Sequence, residues 1–151
     1  MIAHDASIDR EALIAREVLP PITLTPEDCG RLSRLADDGL ASFPQAAEFL
    51  AREVDRAHLA PLNHPLTGLV RMGSHVEFRE DVTGQIRVVT LVYPEQADIS
   101  AGKVSVLTPI GAALIGLSVG QSIEWRTPGG GLRSLTVLSV PESDPTFWAD
   151  G

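Results

Sequence analysis

Val106-Leu107-Thr108-Pro109-Ile110-Gly111-Ala112-Ala113-Leu114-Ile115-Gly116-Leu117 is the stretch on which the fold of this chain turns. Val104 to Leu107 reads as a short strand. Thr108 can cap the free N–H groups of a helix, and Pro109 has its φ pre-set for the first helical turn. The apolar run to Gly116 then reads as one short helix buried among strands. On both sides the apolar residues alternate. His75 to Arg79 places Val76 and Phe78 on one face, and Asp81-Val82-Thr83-Gly84 makes a turn. Ile86 to Tyr93 is a dense β-branched run stopped by Pro94. Ile123 to Arg126 and Leu135 to Val140 form a last pair, with Phe78 and Trp125 at core positions. Pro128-Gly129-Gly130-Gly131 lies between them and leads into no helix, so it reads as a hairpin turn and not as a phosphate cradle. Strands, one small helix and more strands specify an α+β domain with an antiparallel sheet.

Upstream of residue 74 the period changes to that of a helix. Thr25-Pro26-Glu27-Asp28 is a start signal, because Thr25 can cap and the two acids suit the positive helix end. Cys29, Leu32, Leu35 and Ala36 follow at helical spacing, and Gly39 ends the helix. Ser42-Phe43-Pro44-Gln45 opens a second helix, Ser42 and Gln45 having capping-box spacing. Ala46, Phe49, Leu50, Val54 and Ala57 form its apolar stripe, with Arg52, Glu53, Asp55 and Arg56 largely off it. So short a connection makes the pair antiparallel. The expected organisation is a flexible N-terminal tail at 1–21, a helical hairpin at 22–60, a Pro/Gly-broken linker at 61–73, a β-rich domain at 74–140 and a C-terminal tail at 141–151.

Twelve basic residues against 20 acidic ones give a net charge of −8, and no Lys/Arg run exists. Direct binding to nucleic acid is therefore not expected, since phosphate contacts rest on clustered positive charge. Cys29 is the single cysteine and excludes an internal disulfide or a Cys-based zinc site. His4, His58, His64 and His75 lack the spacing of a helical metal pair, and no nucleophile elbow or Ser/His/Asp set is present. No cofactor, catalytic residue or metal ligand set is assigned. With no signal peptide and no apolar run of about 18 residues, a cytoplasmic protein without membrane contact is expected. Asp37 and Asp38 fall in the last turn of the first helix, where negative charge opposes the macrodipole. They sit at the hairpin tip, read as far from any core. Two readings stand: a solvated turn, or a pair of carboxylates that helps hold a hydrated Mg²⁺.

The block Val106 to Leu117, with Val119-Gly120, Ile123-Glu124-Trp125 and Thr127-Pro128-Gly129-Gly130, resembles the C-terminal domain of the bacterial Gre transcript-cleavage factors. The likeness extends over Val70 to Val140. Leu91-Val92-Tyr93-Pro94, together with Asp55-Arg56-Ala57, is similar to the Rnk branch, the regulators of nucleoside diphosphate kinase. The resemblance covers about residues 22–140 and implies an FKBP-like domain carrying a shortened coiled coil. It also implies a partner, RNA polymerase, with the domain docked at the rim of the secondary channel through the loop that maps to Leu107, Thr108 and Pro109. In cleavage-active relatives two acids three apart stand at the tip. Here Asp38 is followed three positions later by Ala41, and Asp37 by Leu40, and the hairpin is too short to reach the polymerase active centre. A polymerase-binding regulator without transcript cleavage is expected. Alternatives are a weak cleavage factor using Asp37 and Asp38, and a peptidyl-prolyl isomerase, for which the domain offers only Phe78, Tyr93 and Trp125 as pocket aromatics. The expected state is a monomer, although the stripe of so short a hairpin calls for a cover from the linker or a second chain.

Overall fold

The structure is a computed structural model that describes residues 19–61, 66–127 and 129–141. The expected tails over 1–18 and 142–151, with His4, His64 and Pro128, lie outside the described residues. The chain order is β1 (Thr23–Leu24), α1 (Pro26–Gly39), α2 (Pro44–Arg56), β2 (His58–Leu59), β3 (His75–Glu80), β4 (Ile86–Val92), β5 (Lys103–Ser105), α3 (Pro109–Leu114), β6 (Ser122–Arg126) and β7 (Leu132–Ser139). Five strands form one sheet in the order β5-β4-β3-β7-β6. The fold is α+β, a helical hairpin joined to a β domain built around one short helix.

The sheet departs from the expected antiparallel pattern at one edge. β5 runs parallel to β4, pairing Thr90 with Lys103 and Val92 with Ser105. Pro94 ends β4, and two single-turn 3₁₀ segments at Pro94–Gln96 and Ile99–Ala101 carry the chain back to lie beside Thr90. That crossover is what a parallel pair requires and a tight hairpin cannot give. Elsewhere the sheet is antiparallel, with Phe78 opposite Val137 and Ile123 opposite Leu135. These inward side chains are fully buried, as the alternation predicts.

Thr25 caps α1, its hydroxyl accepting from the Asp28 N–H at 3.1 Å. The capping box at Ser42 does not form. Pro44 takes the first helical position, so the cap falls on Phe43, which makes no side-chain cap bond. Proline's fixed φ and missing N–H suit that position and shift the start by one residue. The buried face of α2 is made by Ala47, Phe49, Leu50 and Glu53, with Ala46 and Val54 partly buried beside it. Glu53, expected on the solvent side, is only 2% exposed.

The reason lies in the segment before α1. Arg56 grips Glu53 with two hydrogen bonds of 2.7 and 2.8 Å and donates a third to the Pro20 carbonyl. Pro21 accepts from the Gln121 side chain, and β1 pairs in parallel with β2, aligning Thr23 with His58. Pro20 and Pro21, expected in a loose tail, are thus docked, and Ile22 and Leu24 are almost fully buried. The far side of the expected linker is also part of the body. Leu69 and Val70 are buried, and Val70 exchanges backbone hydrogen bonds with Gly116 and Leu117. One apolar cluster runs from Leu32, Ala36 and Leu50 of the hairpin through Leu107 and Leu114 to Val76, Phe78 and Trp125 of the sheet domain. The hairpin's stripe is covered by the domain of its own chain.

Candidate functional site

The helix α3 and the loop before it set the geometry of one end of the molecule. The Thr108 hydroxyl accepts from the Gly111 N–H at 3.1 Å and donates to the Ser105 carbonyl at 2.7 Å, so both of its polar functions are used inside the loop. Gly111 is required by close packing, since a Cβ there would lie 2.1 Å from the Ser105 carbonyl oxygen. Leu107 is 5% exposed and faces the hairpin turn, where a Cβ on Gly39 would lie 2.9 Å from its Cδ2. Of the three expected docking residues, Pro109 is exposed, Thr108 is partly exposed and Leu107 is buried.

Asp37 and Asp38 are exposed in the last turn of α1. They are not far from the core, as the reading of an isolated hairpin had them. The adjoining Gly39 is buried against Leu107, so the tip folds back onto the loop before α3. The small side of α1 at Ala36 and Gly39 permits this approach. Leu40 and Phe43 stay about half exposed beside the tip. Phe43 and Pro44 share a shallow apolar depression with Leu107, Thr108 and Pro109. The hairpin turn and the loop before α3 therefore make a single surface, with two carboxylates at its margin. Among the described residues, no three His, Cys, Asp or Glu side chains gather to hold a metal.

A second feature adjoins this surface and was not signalled by the sequence. Phe49 of α2 meets Trp125 of β6 with ring centroids 6.1 Å apart. Arg52 lies over Phe49 at 5.9 Å and Arg133 over Trp125 at 5.4 Å. Arg133 also donates to Glu80 at 2.7 Å, and Arg87 reaches the same carboxylate at 3.4 Å. Sequence alternation placed Trp125 inside, but these arginines are far apart in the chain and carry no shared period.

Among the described residues, three carboxylates have shifted titrations with visible causes. Burial pushes Asp28 above the usual range, against a 3.2 Å hydrogen bond from the Met72 N–H that pulls the other way. For Asp81 burial also pulls upward, but hydrogen bonds from Ser134, Arg79 and Thr136 outweigh it and hold the carboxyl low. Asp98 is held low by Ser100. These groups brace turns and helix starts. None faces the shared surface of Pro109 and Phe43.

Comparison with known proteins agrees with this architecture. Residues 65–142 match the family described as "Transcription elongation factor, GreA/GreB, C-term", and residues 20–59 match "Rnk N-terminus". The chain belongs to the Gre family, in its Rnk branch. A "Regulator of nucleoside diphosphate kinase" from Escherichia coli (strain K12) is 38% identical over 121 residues, which is 80% of this chain and 89% of the relative. The GreA of Beijerinckia indica is 33% identical over 91 residues, or 60% of this chain and 57% of that GreA. Among solved structures, a prokaryotic GreA/GreB elongation factor from Nitrosomonas europaea aligns with a TM-score of 0.61 at 35% identity. It covers 82% of this chain and all of the other.

The residues that carry the family likeness have visible tasks in this Gre-family chain. Arg56, from the Asp55-Arg56-Ala57 signature, holds Glu53 and Pro20 together. Thr108 and Gly111 fix the start of α3, and Trp125 roofs the core beneath α2. A Gre-type transcription-associated regulator is what this membership establishes. No helix among the described residues is long and apolar enough to cross a membrane.

Proposed function

We propose that this chain regulates transcription by docking on RNA polymerase at the rim of the secondary channel, without cleaving the transcript. The observation that carries the reading is the single surface made by the hairpin turn and the loop before α3. Pro109 stands exposed on it beside Phe43 and Pro44, as a docking face needs an apolar, reachable centre. Helices of 14 and 13 residues span only about 20 Å at 1.5 Å per residue, and their turn is folded against Leu107. A tip held there supports blocking the entrance over reaching a buried active centre. The lack of two acids spaced three apart at the tip points the same way. Such a protein works in the cytoplasm, and its Asp37 and Asp38 serve the surface charge of the turn. The isomerase reading gains no support: the trough at Val88, Val104, Pro109 and Ile110 is lined by no aromatic ring, and in the adjoining hollow Phe49 and Trp125 are buried beneath Arg52 and Arg133.

Retention of core RNA polymerase on the immobilised chain tests this. Because the Thr108 hydroxyl caps α3, the informative change is Pro109→Arg, with Thr108→Ser as a control that keeps the cap. Retention by wild type and Thr108→Ser, and its loss in Pro109→Arg, is the expected result. No retention at low salt overturns the reading. Stimulated cleavage of stalled transcripts that disappears in Asp37→Asn/Asp38→Asn would overturn the part that denies cleavage.

A further inference from the structure

We propose that the cleft running from α2 and the β6–β7 hairpin, past the start of α3, to β4 and β5 is a binding site for an acidic peptide segment of a partner protein. Two adjoining hollows, of about 310 and 470 Å³, meet at Pro109 and Arg133, which line both. Arg52 and Arg126 flank the first, and Arg87 and Lys103 flank the second. Five of the chain's twelve basic residues thus surround one cleft on a protein of net charge −8. Glu48 is the one carboxylate among the lining residues, and Glu80 behind them answers both Arg87 and Arg133. Arg126 has a contact of its own and Asp98 lies beside Lys103, yet Arg52, Arg87, Lys103 and Arg133 still outnumber Glu48, Glu80 and Asp98. That positive balance attracts an anionic partner against the field of the rest of the surface.

The arginines are held in place before any partner arrives. Arg52, Arg87 and Arg133 each lie over an aromatic ring, at 5.9, 5.7 and 5.4 Å from Phe49, Phe78 and Trp125. Stacking fixes a guanidinium plane and reduces the entropy lost when its edge meets a carboxylate. The side chains of Arg87 and Arg133 remain 35% and 36% exposed, so a partner can reach them. Val104, Pro109 and Ile110 add an apolar wall between the charges, suited to an aliphatic side chain placed among acidic ones.

A nucleic acid fits less well, although it too is anionic. Base recognition on such a floor needs open ring faces for stacking. Phe49 and Trp125 are only 9% and 4% exposed and lie beneath Arg52 and Arg133. Carboxylates need only the guanidinium edges. The inference does not depend on polymerase being the partner, and its test leaves polymerase out.

Anisotropy of a short labelled peptide of alternating Glu and Leu, titrated with the full chain at low salt, provides the test. We expect saturable, salt-sensitive binding that weakens about tenfold in Arg52→Glu and again in Lys103→Glu. Arg34→Glu makes the same change in net charge at an exposed position of α1 outside the cleft and is expected to bind as wild type does. Equal weakening by Arg34→Glu would reduce the effect to net charge and overturn the proposal. So would absence of peptide binding, or binding of a single-stranded RNA oligomer in its place. Peptide binding only after removal of residues 142–151 would give the cleft to the chain's own Glu142, Asp144 and Asp150, and would overturn the assignment to a partner.

Discussion

Glu53 and Arg56 lie three residues apart on α2, yet their pairing matters less to the helix than to the segment it captures. Glu53 is 2% exposed and its two oxygens are both engaged by Arg56, whose remaining reach ends on the Pro20 carbonyl. Removing one partner of a buried pair leaves an uncompensated charge, at a cost of about 3–5 kcal/mol. Arg56 is about a quarter exposed, so the lower end of that range is the expectation for Arg56→Ala, read as a shift of the urea midpoint. Arg52→Ala, whose partner among the described residues is the Phe49 ring, should cost less than about 1 kcal/mol. Equal effects of the two would refute the role given to Glu53. Asp81 supplies a pH-dependent counterpart. Its carboxyl accepts from Ser134 and Thr136 and joins the β3–β4 turn to β7. Because its folded pKa lies below 3.8, its contribution is complete above the unfolded value and is lost as pH falls through the folded one. Asp81→Ala should therefore cost about 1–3 kcal/mol near neutrality. The gap from wild type should close as acid denaturation proceeds below the unfolded pKa. A gap unchanged down the acid limb would show that side-chain packing, and not the charge, is what Asp81 supplies.

At the scale of elements, α3 is the piece whose placement everything else assumes. It has six residues, too few to persist alone, and is held by the Thr108 cap and by complete burial of Gly111 through Leu114. Gly111→Ala would press a methyl group into the Ser105 carbonyl, a backbone atom that cannot swing aside. We expect a loss above the usual overpacking cost of about 1–3 kcal/mol, measured by chemical denaturation or visible as failure to fold. Gly39→Ala is a milder case at a comparable interface. Its methyl would meet Leu107 Cδ2, the end of a flexible side chain, so the loss should stay within that range. If the hairpin turn does rest on α3, Gly39→Ala should also weaken polymerase retention without unfolding the β domain. The elements themselves were largely legible. Thr25-Pro26 marked the start of α1 and Thr108-Pro109 that of α3, because a cap followed by proline satisfies local backbone needs with few alternatives. Ser42 misled, since a capping-box spacing is a weaker constraint than the φ of the Pro44 beside it.

For the whole molecule the decisive fact is that hairpin and sheet share one core, from Leu32 and Leu50 to Phe78 and Trp125. A chain built this way should unfold in one transition. Far-UV circular dichroism, weighted to the helices, and fluorescence of Trp125 in a Trp148→Phe background should give coincident urea curves. An earlier loss of helix would separate the hairpin from the domain and contradict the shared core. What the sequence determined by itself was the kind and order of the elements. Alternation, caps and turn residues act over a few neighbours and leave their period in the chain, and the block around Leu107 to Leu117 carried the family likeness. Tertiary structure alone decided three things. It buried Glu53 by bringing Pro20 to Arg56 across 36 positions. It laid the hairpin turn on Leu107, placing the tip carboxylates beside the loop before α3. It drew Arg52, Arg87, Arg126 and Arg133 around one cleft on an acidic chain. None of these leaves a local pattern, because each depends on which faces meet after the core has closed, and charge scattered along a chain acquires a location only when the backbone folds.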